Sequence, residues 1–180
     1  MCARYEFVLG SDKLSLQIID KVNELDLSFK QGEVFPSDNI LTIIPHDDKV
    51  DLKVLKWGIK KDSLQINARQ EIIKESNIYN DIKDNRCAII CNGFYEWDKD
   101  KNKYYMNTKD NFIYLAGIYN TDDELLVITK DAPEYFRYIH DRIPVIMNKN
   151  EMIKYLHNVD EDIDDKQLNM ENKSSQTKLF

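Results

Sequence analysis

Cysteine at position 2 is the residue whose chemistry is hardest to assign to folding alone. In the opening MCARYEF it follows a methionine that aminopeptidases remove when the next residue is small. Removal would leave an α-amine and a thiol on one residue, a 1,2-aminothiol found nowhere else in a polypeptide. Without that step, Cys2 is an ordinary residue at a frayed terminus. Glu96 lies in NGFYEW between Tyr95 and Trp97, where alternation either turns its carboxylate to solvent or holds it in a shielded cleft. In the second case desolvation raises its pKa and suits it to acid–base work. His140 precedes Asp141, Arg142 and a proline-fixed turn in IHDRIP, as either a structural loop residue or a proton carrier. INAR (66–69) is a further polar segment that the fold alone does not explain.

These residues must be positioned by a chain of 180 residues, a length that suits one domain of about 100–200 residues with a sizeable core. Hydrophobic content of 42% and charged content of 32% describe a soluble globular class. No apolar run approaches the roughly 20 residues of a membrane span, and the start lacks a signal peptide's basic region and cleavage site. A cytoplasmic protein is expected, and nothing demands more than a monomer. Cys87 and Cys91 in RCAIICNG share one face of an apolar strand and read as core thiols. No Cys/His pair has zinc spacing, so neither a metal nor a cofactor is expected. The net charge of −7 argues against a generic nucleic-acid coat but not against one basic groove. From Asn158 onward six acids face three lysines, a local balance of −3.

Tyr5 to Leu9 reads as a strand. SDKLSLQIIDKVNEL spaces Leu14, Ile18 and Val22 by four, an amphipathic helix with Ser11 or Asp12 as cap. A turn at Pro36 and Ser37 precedes a short strand, and VDLKVLKWGI alternates as another. NARQEIIKES starts a helix. CAIICNGFYEWDK, KYYMNTK, NFIYLAGIYN and LLVITK, separated by turn-rich DKDKN, KDN and TDDE, predict an antiparallel meander. A short helix and loop, then the helix NEMIKYLHNV, complete a single compact α+β domain with a curved, mainly antiparallel and barrel-like core. The boundaries expected are a catalytic domain over 1–158 and a mobile acidic and polar tail over 159–180.

Taken in order, MCARYEF, LKWGI, INARQE, RCAIICNGFYEW, AGIY and LLVITKDAPEYFRYIHDRIPVIM resemble the motifs of the SOS-response-associated peptidase (SRAP) family over nearly the whole chain. The resemblance implies a sensor of abasic sites in single-stranded DNA that forms a covalent DNA–protein cross-link. It implies a catalytic set of Cys2, Asn67, Glu96 and His140, with Arg4, Arg69 and Arg142 as DNA contacts. The chemistry would be a thiazolidine. The free amine condenses with the sugar aldehyde, and the neighbouring thiol closes a five-membered ring. Asn67 would orient the amine and sugar, Glu96 would shuttle protons, and His140 would assist sugar opening. Trp57 and Trp97 are either base-stacking platforms or aromatic core. A thiol (auto)peptidase with Cys2 as nucleophile, a DNA lyase activity, and a noncatalytic DNA-binding module are the other activities considered.

Several positions depart from the family pattern. Ala3 replaces the usual glycine, KWGIKKDSLQINAR lacks the second tryptophan and the proline, Asn77 replaces an expected basic residue, and the proline-valine-serine segment is not recognisable. The chain ends QTKLF, which resembles the short motif that docks on the bacterial DNA sliding clamp. Gln176 would be the polar anchor, with Leu179 and Phe180 filling an apolar pocket; the pair could equally pack back on the domain.

Overall fold

The structure, a computed structural model, describes residues 2–159 and 163–174. In chain order its elements are β1 (Tyr5–Phe7), α1 (Lys13–Glu24), β2 (Gly32–Val34), β3 (Asn39–His46), β4 (Lys49–Trp57), β5 (Ile59–Lys60) and β6 (Leu64–Gln65). Next come β7 (Asn67–Arg69), α2 (Gln70–Ile73), β8 (Arg86–Cys91), β9 (Gly93–Trp97), β10 (Lys103–Asn107), β11 (Ile113–Tyr119) and β12 (Glu124–Asp131). The described chain closes with β13 (Arg142–Pro144), β14 (Ile146–Met147), α3 (Lys149–Leu156) and β15 (Asn169–Asn172).

Asp12, not Ser11, caps α1: its Oδ1 accepts the Leu14 and Ser15 N–H groups at 3.1 Å each. Ile18 is buried, and Leu14 and Val22 pack against the core beside it. The helix expected in NARQEIIKES is a single turn, α2, followed by a 3-10 turn at Asn77–Tyr79. At α3, Asn148 and Glu151 form a reciprocal capping box.

Two curved sheets carry the fold. One runs β13-β12-β4-β3-β8-β11-β14, and a further pairing of β12 with β11 closes β12, β4, β3, β8 and β11 into a ring. The other runs β15-β10-β9-β1-β2. Most pairings are antiparallel, but β4 and β7 each lie parallel to β12. The expected simple meander is corrected here: β8 and β9, read as one strand, belong to different sheets. Asn92 makes the break. Its Oδ1 accepts the Val8 N–H at 2.6 Å, its Nδ2 donates to Asn111 O at 3.0 Å, and its own N–H donates to Glu6 O. Gly93 then lets β9 approach β10, since a Cβ there would lie 2.4 Å from Met106 O and 2.6 Å from the Tyr105 ring. Cys87 through Cys91 are all buried, as a strand covered on both faces requires.

The boundary expected at residue 158 also needs correction. Leu168 is buried, and Asn169–Asn172 pairs with β10 in the register Met106↔Met170. Lys130 ion-pairs with Asp165 at 2.8 Å, and Lys166 with Glu151 at 2.6 Å. Residues 163–174 are therefore part of the folded body, because this segment supplies a strand to an otherwise open edge. Gln176, Leu179 and Phe180 lie outside the described residues. Among the described residues no helix is long and apolar enough to cross a membrane.

Candidate functional site

Four separate segments bring Cys2 and Glu96, both buried, together with the half-buried Asn67 and His140. Cys2 precedes β1, whose Tyr5 is paired with Phe94 of β9; the Tyr95 N–H donates to Arg4 O at 2.9 Å and continues the ladder toward the terminus. The same strand, β9, carries Glu96. Asn67 begins β7, held parallel on β12 by the pairing Asn67↔Val127. Its Nδ2 donates to Cys2 O at 3.0 Å, tying the first residues of the chain to the sheet 65 positions later. Asn67 Oδ1 is buried and has no hydrogen-bond partner among the described residues.

Burial sets the protonation of the site. The fully enclosed Cys2 thiol is pushed up to about 12, first by desolvation and then by the negative charge of Glu96. Its Sγ donates to Arg4 O at 4.0 Å. Glu96 is only 4% exposed, and this burial holds its carboxyl above the usual range, while the charge of His140 works the other way. Glu96 is thus the shielded carboxylate, not the solvent-facing one. On the loop before β13, His140 Nδ1 accepts the Arg142 main-chain N–H at 2.9 Å. This places the proton of the neutral ring on Nε2, the nitrogen free of that contact.

The three arginines diverge. Arg69 is exposed at the end of β7. Arg4 lies under Phe35 and Trp97, with ring centroids 4.3 and 4.8 Å from its guanidinium carbon, and contacts Glu33 at 3.3 Å. Arg142 is occupied by protein groups: Nη1 and Nη2 fork onto Glu71 at 2.7 and 2.9 Å, Nη1 also meets Asp131, and Nη2 donates to Thr129 O at 2.7 Å. Trp57 is corrected to a core residue. It is fully buried and its indole N–H donates to Ile66 O at 3.0 Å, so no ring face is left for a base.

Sequence reasoning missed the groups that hold these arginines. Glu33 and Lys103 join Arg4: Lys103 Nζ reaches Glu33 at 2.6 Å and lies 4.1 Å from the Tyr95 ring centroid. Although partial burial pushes the other way, Lys103 and Arg4 hold the Glu33 carboxyl below its ordinary range. No spacing in the sequence pointed to Glu33. Glu71, by contrast, stands inside INARQE and was open to notice. A cavity of about 290 Å³ lined by Lys74, Lys83, Arg86 and Tyr155 lies beside α2 and α3, and none of the four converging residues lines it. Among the described residues no group of three or more His, Cys, Asp or Glu side chains could hold a metal ion.

A buried thiol at the second position of the chain, tied to an amide through its carbonyl and lying in the field of a carboxylate that in turn feels an imidazole, defines a protein built around its own amino-terminal segment. The chain belongs to the SOS response associated peptidase (SRAP) family, whose model matches residues 1–179. It is 33% identical over 184 residues to the abasic site processing protein YobE of Bacillus subtilis (strain 168), covering 85% of this chain and 82% of that protein. It is 31% identical over 185 residues to the abasic site processing protein YoqW of the same organism, with 87% and 80% covered. A crystal structure of a protein from Bacteroides thetaiotaomicron shares the fold at a TM-score of 0.73 and 20% identity, over 94% of this chain and 90% of that one.

Proposed function

We propose that the protein processes abasic sites in single-stranded DNA by forming a thiazolidine cross-link through Cys2 once Met1 is removed. The names of its relatives support the substrate class. The observation that carries the chemistry is the full enclosure of Cys2, with its carbonyl bonded to Asn67 and its thiol within the field of Glu96, which in turn feels His140. Burial favours the protonated thiol, whereas an α-amine of ordinary pKa about 7.7–8.0 is neutral in roughly a tenth of molecules at pH 7. The amine therefore attacks first. It adds to C1′ of the ring-opened sugar and loses one water to give a Schiff base. Sulfur then bonds to C1′, and the thiol proton passes to nitrogen. Asn67 orients the terminus through Cys2 O, and its Oδ1 can accept from the amine. Glu96, held neutral more readily than an ordinary carboxyl, carries protons between sulfur, nitrogen and the departing water. His140 Nε2 protonates the sugar ring oxygen on opening. Arg69, exposed at the end of β7, would meet a phosphate, and Arg4 lies beside the rings of Phe35 and Trp97.

The low thiolate population argues against a peptidase that starts from Cys2 sulfur. Intact mass spectrometry after incubation with single-stranded DNA carrying one abasic site tests the reading. The expected product is protein without Met1 plus the DNA mass less one water, absent in Cys2→Ala. Processed protein that stays unmodified while cutting peptides would reverse it. From sequence alone we further propose that Gln176, Leu179 and Phe180 dock on the bacterial sliding clamp; binding undiminished by Leu179/Phe180→Ala would sink this.

A further inference from the structure

We infer that Phe35 is the residue on which the protein stacks a base beside the abasic sugar; the inference rests on the reading of single-stranded DNA as the substrate given above. Phe35 follows β2, whose Val34 pairs with Tyr5 of β1. Arg4 precedes Tyr5, and its guanidinium carbon lies 4.3 Å from the Phe35 ring centroid. Cys2 is two residues further back, at most about 7 Å away along the chain. Phe35 therefore stands within a few nucleotide steps of the reacting sugar, at about 3.4 Å per stacked step.

A bonded turn, not a loose loop, holds this ring outward. The Phe35 N–H donates to Asp38 Oδ2 at 2.9 Å, and the Asp38 N–H donates back to Phe35 O at 3.1 Å. Ser37 takes a left-handed conformation with φ 76°. Its N–H donates to Trp57 O at 2.7 Å, and the Trp57 N–H donates to Asp38 O at 3.0 Å, so the turn is pinned to β4 on both sides. Trp57, whose own ring is enclosed, thus serves this surface through its backbone. Phe35 is 39% exposed, so its ring meets solvent while the Arg4 guanidinium lies against it.

Rings and cations alternate across this face. Arg4 lies between Phe35 and Trp97, and Lys103 Nζ lies 5.7 Å from the Trp97 ring centroid and 4.1 Å from that of Tyr95. Aromatic rings interleaved with cations are the pattern by which proteins hold single strands without reading their sequence. Both cations contact Glu33, at 3.3 and 2.6 Å, so the face carries less charge than its cations alone imply. It offers ring surface more than net attraction for phosphate. Trp97 is half-buried with both cations against its ring, which leaves Phe35 the more open of the two. A base next to an abasic sugar has lost one stacking neighbour, and the Phe35 ring replaces it. That base extends a series of rings and cations that already runs through Arg4 to Trp97.

The test is equilibrium binding of full-length protein to a single-stranded oligonucleotide carrying one tetrahydrofuran site, which cannot open to an aldehyde. The fluorescent base 2-aminopurine, which dims on stacking, stands on one side of that site in one oligonucleotide and on the other side in a second. The variants are Phe35→Ala, Phe35→Leu and Phe35→Trp. The expected result for Phe35→Ala is binding weakened about five- to a hundredfold. The slope of log affinity against log salt stays the same, because no phosphate contact is lost. One of the two probes is quenched by wild type and by Phe35→Trp, and recovers with Phe35→Ala and Phe35→Leu. Urea melts separate loss of stacking from loss of fold, since Phe35→Leu keeps an apolar side chain against Arg4. Affinity of Phe35→Ala within about twofold of wild type overturns the inference. Full binding and quenching by Phe35→Leu also overturns it, by making the contact plain apolar packing. A shallower salt slope in Phe35→Ala does the same, by making Phe35 a support for a phosphate-binding Arg4. Wild-type protein that binds the oligonucleotide yet never cross-links an open abasic site defeats the cross-linking reading alone, and the Phe35 comparison still decides the stacking.

Discussion

Alkylation of Cys2 offers a direct measure of the site's electrostatics. Enclosure and the Glu96 charge move the thiol from 9.0 to about 12. Each unit is a factor of ten in thiolate, so at any pH below 9 Cys2 holds about a thousandfold less thiolate than an unperturbed cysteine. The thiolate is the species that reacts with iodoacetamide. The rate constant for Cys2, followed by peptide mass spectrometry on folded protein, should therefore be about a thousandfold below that of a model peptide at pH 7.5. Steric shielding alone would also slow the reaction, so the pH profile is the deciding feature. With a thiol near 12, the rate climbs tenfold per pH unit from 7 through 10. Glu96→Gln removes the neighbouring negative charge, so the same profile should shift to lower pH. A rate that levels off near pH 9 would refute the argument that burial and Glu96 hold the thiol protonated. The order of steps proposed above, amine before sulfur, would lose its support with it. Borohydride trapping extends the test to the reaction itself: Cys2→Ala keeps an amine and should give a reducible adduct but no stable one.

Three further outcomes follow from the fold. Glu96 holds its proton more tightly in the folded protein than in the unfolded chain, so stability should fall as pH rises above the ordinary glutamate value of 4.5. Urea melts should then show Glu96→Gln more stable than wild type at pH 8, with the gap closing toward pH 4; a gap independent of pH would contradict the raised carboxyl. Trp57→Ala empties a fully buried site and should cost about 3–5 kcal/mol in the same assay, far more than loss of a surface stacking platform. Gly93→Ala forces a Cβ against Met106 O and should destabilise by about 1–3 kcal/mol while slowing cross-linking through the displaced Glu96; wild-type behaviour would show that β9 and β10 can separate freely.

What the sequence determined by itself was the chemistry available and the local elements that carry it. Cys2, INARQE, GFYEW and HDRIP are read from residue type and order, and α1 follows from the spacing of Leu14, Ile18 and Val22 with Asp12 as cap. Strands were legible as strands for the same reason, since period and β-propensity are local properties. Which strand lies beside which is not local. RCAIICNGFYEW has no polar run to divide it, yet Asn92 satisfies three backbone groups brought from elsewhere and sends its two halves into different sheets. The segment after residue 158 looked like a tail because its composition is polar, and only the open edge of β10 gave it a place to pair. The same holds for side-chain roles. Arginine at position 142 reads as a phosphate ligand in the sequence, and only the fold brings Glu71 and Asp131 around it. Tryptophan at 57 reads as a platform until its ring is seen enclosed. Charge state is the last of these. A cysteine near a chain end carries an ordinary pKa in any unfolded context, and only the exclusion of water by β1, β7 and β9, with one carboxylate brought alongside, holds this thiol protonated.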